Sequence, residues 1–236
     1  MLTFLSAEAH LAVSFSASSW AWVAFLLLGA WHGVNPAMGW LFAVALGMQQ
    51  KSSHAVWQSL LPIGAGHAAA IGLVVGVAVL AHAALPSNYL KIAVICILFG
   101  FGLFRLLWKG HPRLGGMQVG FRDLSIWSFL MASAHGAGFM LLPVLMGMSA
   151  ASGSNRAASA AHMHMTGFAD SSMGAWTALI AVAVHTLGYL LVTGAVAFLV
   201  YEKFGLALLR KAWVNLDLVW AVALMATACF AIFIPA

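Results

Sequence analysis

The chain has 236 residues, of which 64% are apolar and 6% charged, and a formal net charge of +5. Soluble domains carry about a quarter charged residues, so this composition excludes a soluble fold and predicts an all-α, polytopic membrane protein whose first partner is the lipid bilayer. Two cysteines without a CxxC pair, Cys96 and Cys229, give no disulfide framework or thiol-redox signature. Basic residues confined to short loops set orientation and imply no nucleic-acid partner.

In chain order, residues 1–21 hold Glu8 but no Lys or Arg and read as a retained outward leader, because a secretory signal needs a positive start. Six apolar stretches follow, 22–48, 57–83, 89–108, 124–148, 174–201 and 209–234, each near or above the roughly 20 residues that cross a hydrocarbon core as a helix. Lys51, Arg105, Lys109, Arg113, Arg122, Lys203, Arg210 and Lys211 fall on one side of these crossings, and only Lys91 and Arg156 on the other. The positive-inside rule then makes the 111–123 connection cytoplasmic and turns both termini outward, as in a bacterial inner membrane. Trp57, Trp108, Trp127 and Trp213 at cytoplasmic ends, with Trp20, Trp22 and Trp176 at outer ends, match interfacial belts.

Residues 22–110 and 124–236 resemble each other. Ala30-Trp31-His32-Gly33 in the first span is echoed by Ser133-Ala134-His135-Gly136 in the fourth, and Gly47-Met48 by Gly147-Met148. His67 precedes Gly76 by nine residues, as His185 precedes Gly194. A unit of three crossings is followed by an upside-down copy, so the expected build is six transmembrane helices as two inverted three-helix repeats. Many secondary transporters share that plan, with a site at the midplane.

His32, His67, His135 and His185 each lie about ten residues inside their span, which at about 1.5 Å per residue is the middle of the hydrocarbon core. Ionisable side chains at that depth face a bundle interior or a wet cavity, and imidazole serves there as metal ligand, proton carrier or interhelical hydrogen-bond partner. Any one of them alone reads equally well as glue between helices; four at matching places in two halves point to a shared site. Next to His32, Asn35 and Pro36 with Gly33 and Gly39 predict a kinked or unwound segment at 33–39 that can offer carbonyls to a cation, and Pro143 is expected to do the same in the fourth span. The plain alternative at each proline is a kink that helps helices pack.

An outward loop at 149–173 carries His162-Met163-His164-Met165, imidazoles beside thioethers that suit capture of copper, nickel or related ions. A chain with ten His and twelve Met also forms such a run by chance. Asp217 is the one carboxylate expected within the membrane and needs a partner. Arg105, at similar depth in the pseudo-equivalent helix, makes a structural ion pair with it; a proton relay is the alternative. Core packing is the expected role of both cysteines.

His32-Gly33-Val34-Asn35-Pro36-Ala37-Met38 resembles the His-x-x-Asp-x-Asp-His signature of the nickel/cobalt permeases, the NicO family, and Gly66-His67-Ala68 resembles that family's second-helix Leu-Gly-His-Ser stretch. The likeness covers two helices at motif level and extends more loosely to the LysE-type superfamily of duplicated three-helix exporters. It implies that His32 and His67 line a metal path. The family's aspartates are replaced here by Asn35 and Ala37 and its second histidine by Met38, which weakens a nickel assignment and leans the site towards a softer ion such as copper(I).

Three classes of function follow. The first is a secondary transporter rather than an enzyme, moving a transition-metal cation (nickel, cobalt, copper or zinc) past His32, Asn35, Met38, His67, His135 and His185, with no cofactor required. It shows no nucleotide-binding motif, so a gradient or a partner membrane subunit supplies the energy, and a homo-oligomer is compatible with it. The second is a membrane redox protein whose histidines ligate haem b or a metal, although one histidine per helix departs from the usual paired arrangement on the same helix. The third is a scaffold subunit whose histidines only join helices.

Overall fold

The computed structural model describes residues 19–84, 86–107, 120–159, 170–204 and 216–233. Nearly all of them are helical and no strand occurs among them. The elements are α1 (Ser19–Val34), a 3-10 turn (Pro36–Met38), α2 (Trp40–Gln50), α3 (Ser53–Ala84), α4 (Ser87–Leu107), α5 (Phe121–Ala134), α6 (Ala137–Ser159), α7 (Asp170–Leu199) with a π turn (Val200–Phe204), and α8 (Leu216–Phe233). Most of the leader, most of the 111–123 connection and the whole His162 to Met165 run lie outside the described residues.

Two stretches, Ser53–Ala81 in α3 and Gly174–Lys203 in α7 with its π turn, are long and apolar enough to cross a membrane, and α5 with the apolar part of α6 makes a third if that pair, bent by 58°, is one crossing. Shorter apolar helices are Ser19–Val34, Asn88–Phe104 and Leu218–Phe233. The outward faces carry Leu61, Leu80, Leu107 and Phe233, all exposed, the composition of a surface solvated by lipid. The protein is helical and membrane-associated.

Both predicted spans in which a proline is expected to kink or unwind the helix are broken, by different means. In the first, α1 stops at Val34 because Pro36 has no N–H to continue the ladder, and Gly39 takes φ 143°, a conformation essentially reserved for glycine, before α2 resumes. The fourth is not broken at Pro143, as the sequence suggests. Pro143 sits inside α6, and the chain bends instead at His135-Gly136, where Gly136 adopts φ 67°. A proline forfeits one ladder bond, whereas a left-handed residue redirects the chain. The expected 149–173 loop is also shorter, since α6 continues to Ser159 and α7 begins at Asp170.

Helix pairing is set by close backbone approaches. A Cβ on Gly29 would fall on the His185 carbonyl, one on Gly33 on the Tyr189 carbonyl, and one on Gly188 on the Leu26 carbonyl, so α1 and α7 touch backbone to backbone. Gly66 likewise lies against the Ser125 carbonyl and brings α3 onto α5. Alongside these, α3 packs on α7, and α4 runs along α8, with Gly102 against Ala221 and Leu224, and Lys91 Nζ donating to the Ile232 carbonyl at 3.0 Å. Small residues at crossing points are how helices associate where lipid removes the hydrophobic drive. Cys96 and Cys229 are exposed on the outer surface, not packed in the core.

Candidate functional site: a buried histidine cluster

Three helices deliver one imidazole each to the same place. His32 ends α1, His67 sits in the middle of α3 and His185 in the middle of α7, and all three are fully buried. Ring centroids are 5.1 Å apart for His32 and His185, 5.9 Å for His32 and His67, and 5.5 Å for His67 and His185, whose planes are stacked within 4°. The Gly29 and Gly188 contacts make this possible, because a bulkier α1–α7 crossing would hold His32 away from His185. Aromatic rings complete the shell: Tyr189 stacks on His67 at 3.8 Å and 11°, and Trp220 of α8 lies 4.7 Å from His32.

His135, the fourth histidine, is buried at the second break and reaches the group through Trp220, 5.4 Å away in an edge contact. His32 and His135 share a local arrangement. Each donates Nδ1–H to the carbonyl four residues earlier, His32 to Leu28 at 2.7 Å and His135 to Met131 at 2.8 Å. The Met131 carbonyl also accepts from His135 N at 3.0 Å, so the ring bond takes a second lone pair of a carbonyl already in the helix ladder, and it fixes Nε2 as the acceptor nitrogen of a neutral ring.

What is missing from the cluster is more telling. No hydrogen bond of ordinary geometry reaches His32 Nε2, either nitrogen of His67 or of His185, the Thr186 and Thr193 hydroxyls or Asn35 Nδ2, although looser contacts link His185 to the Phe25 backbone and the Thr193 hydroxyl to that of Tyr189. Each unpaired buried polar group costs about 1–3 kcal/mol, so these nitrogens are poor candidates for interhelical glue. As the rings stand, no three His, Cys, Asp or Glu side chains among the described residues are arranged to hold a metal ion together.

The break beside the cluster is closed by side-chain donors. Asn35 caps the 3-10 turn, its Oδ1 accepting from Ala37 N at 3.0 Å. Trp40 Nε1 donates to the Val34 carbonyl at 3.0 Å, Trp127 Nε1 of α5 to the Ala37 carbonyl at 3.2 Å, and the Tyr189 hydroxyl to the Met38 carbonyl. The Val34, Ala37 and Met38 carbonyls, expected to face a cation, are therefore occupied by protein. Met38 itself is buried in an apolar cluster with Ile63, Val44 and Tyr189. Trp127 is half-buried and tied to the break. The side chains of Arg105 and Asp217, like the His162 to Met165 run, lie outside the described residues.

Sequence reading thus named the histidines and missed the aromatic residues that hold them. Tyr189 carried a usable signal: it falls one turn after His185, on the same face of α7. Trp220 and Trp127 carried none, since only packing decides which indoles turn inward. In comparisons with known proteins, the chain matches no family model, no curated protein and no solved structure. The likeness to nickel/cobalt permeases rests on the quoted motifs alone.

Proposed function

We propose that the protein is a secondary membrane transporter of a transition-metal cation and that His32, His67 and His185 form its transit site. The carrying observation is the fully buried ring nitrogens on three helices, of which His32 Nε2 and both nitrogens of His67 have no hydrogen-bond partner and His185 only a loose contact with the Phe25 backbone. Neutral imidazole nitrogens with free lone pairs are ligands for copper, nickel, cobalt or zinc, and an intramembrane polar cluster is costly unless it is used. The stacked rings of His67 and His185 do not converge on one point, so taking up an ion requires one of them to turn. His135, linked through Trp220, extends the path towards α6.

The six-crossing inverted repeat belongs to the same reading. Exchanging α1 with α5 and α3 with α7 turns the α1–α7 pair into the α5–α3 pair, and both pairs are close packed. The same exchange maps His32 onto His135, each bonded to the carbonyl four residues back at a mid-span break. Gly47 of α2 packs against Tyr201, which brings Lys51 and Lys203 to one end of the bundle; under the positive-inside rule that end is cytoplasmic and both termini are outward. A haem reading finds less support. A porphyrin between two axial imidazoles needs clear space around their common axis, and here each pair of rings has the third within 6 Å of it.

Purified protein in liposomes loaded with a metal-sensitive dye tests the proposal. His67→Ala and His185→Ala should each slow entry of copper(I), nickel(II) or cobalt(II) at least tenfold. His54→Ala, at an exposed residue bonded only to Gln58, should leave it unchanged. Equal rates for all three variants and the parent would remove the cation reading.

A further inference from the structure

Tyr189 belongs at once to the histidine cluster and to the first helix break. Its ring is stacked on His67 at 3.8 Å, while its hydroxyl donates to the Met38 carbonyl in the broken segment. It is fully buried, and the glycines around it leave no slack: a Cβ on Gly33 would meet the Tyr189 carbonyl, and one on Gly39 would meet both Ile63 and the Tyr189 hydroxyl. One turn further along the same face of α7, Thr193 is fully buried with its hydroxyl in only loose contact with that of Tyr189, and Asn35 Nδ2 is unpaired at the turn itself. The route from the cluster towards the Lys203 end therefore passes polar groups with spare hydrogen-bonding capacity. On the opposite side the cluster is covered by the apolar packing of Phe25, Ile71, Met140 and Val182.

We infer that Tyr189 is the gate residue of the histidine cluster, a latch whose hydroxyl keeps the broken segment closed over it. This rests on the transport reading and assigns that site its moving part. For an ion to be shared between His67 and His185, one of two parallel rings must turn; the turning ring in this gate is His67, which cannot turn while Tyr189 lies flat against it. Displacing the tyrosine ring lifts its hydroxyl from the Met38 carbonyl. The segment Pro36–Met38 then loses its only tie to α7 among the hydrogen bonds described, and water enters past Thr193. Trp40 and Trp127 hold neighbouring carbonyls of the same segment without touching a histidine ring, so they brace the segment and do not sense the site.

The test uses full-length protein in detergent micelles with Cys96→Ser and Cys229→Ser, leaving Thr193→Cys as the only thiol. Its rate of reaction with a water-soluble maleimide reads how often the latch side opens. Adding Tyr189→Phe, which keeps the ring and removes the hydroxyl, should raise that rate about tenfold, the population change that losing one buried hydrogen bond produces, with helix content unchanged. A folded Tyr189→Phe protein that reacts at the parent rate overturns the gate. If that variant does not fold, His67→Ala, which removes the ring on which Tyr189 rests, replaces it, and no acceleration there overturns the gate as well. The liposome measurements separate the two claims. Faster labelling in Tyr189→Phe with metal entry indifferent to His67→Ala and His185→Ala leaves a latch and removes the cation, while the converse leaves a transporter whose gate is elsewhere.

Discussion

The two helix breaks reach the same result with different chemistry. Each follows or contains a histidine whose Nδ1 is bonded four residues back, and each interrupts a helix beside the cluster, the second with a bend of 58°. The first is built from a proline, an Asn cap, a glycine at φ 143° and three donors recruited from α2, α5 and α7. The second needs little more than Gly136 at φ 67°, with His135 N bonded to the Met131 carbonyl at 3.0 Å and Gly136 N to the Ser133 carbonyl at 3.1 Å. A long break frees several carbonyls, and in lipid each must find a donor within the protein. A two-residue bend frees few and closes them locally. The first break is therefore bound to three other elements and to the cluster, while the second is a self-contained hinge.

That contrast is sharpened by glycine substitutions, read as unfolding free energy in micelles. Gly39→Ala should cost the most, about 3 kcal/mol, because its backbone conformation is closed to residues with a Cβ and the added carbon meets Ile63 and the Tyr189 hydroxyl. Gly136→Ala should cost about 1–2 kcal/mol: left-handed helix geometry is tolerated at that cost, and the nearest atom is the end of the flexible Leu224 side chain. Equal costs at the two sites would break the distinction between a clasped segment and a local hinge. Asn35→Ala should have the smallest effect, about 1 kcal/mol from the lost cap, and Asn35→Ser should recover most of it, because a neutral hydroxyl oxygen can also accept from Ala37 N at this buried position. Failure of Ser to recover stability would mean that the cap is not what Asn35 contributes.

Some of this was legible in the residues themselves. Pro36 beside Asn35 and Gly39 announced the first break, since a missing N–H and a glycine-only backbone are local properties. The second break was not where a proline marked it, because Pro143 costs one bond that α6 tolerates, while nothing in the sequence around Gly136 distinguishes a bend from a helical glycine. The four histidines stood out as polar residues at one depth, yet depth does not say which rings meet.

The sequence by itself determined the class of molecule and the inventory of its interior: with 6% charged residues, lipid must be the solvent, and the histidines must be enclosed. Only the tertiary structure decided that three of those histidines touch and the fourth stands behind Trp220, and that Tyr189, Trp40 and Trp127 are spent on the backbone of the break. The reason is physical. Burial follows from composition averaged along a helix, but contact depends on helix rotation and separation, which here are fixed by backbone approaches at Gly29, Gly66 and Gly188 between residues far apart in the chain.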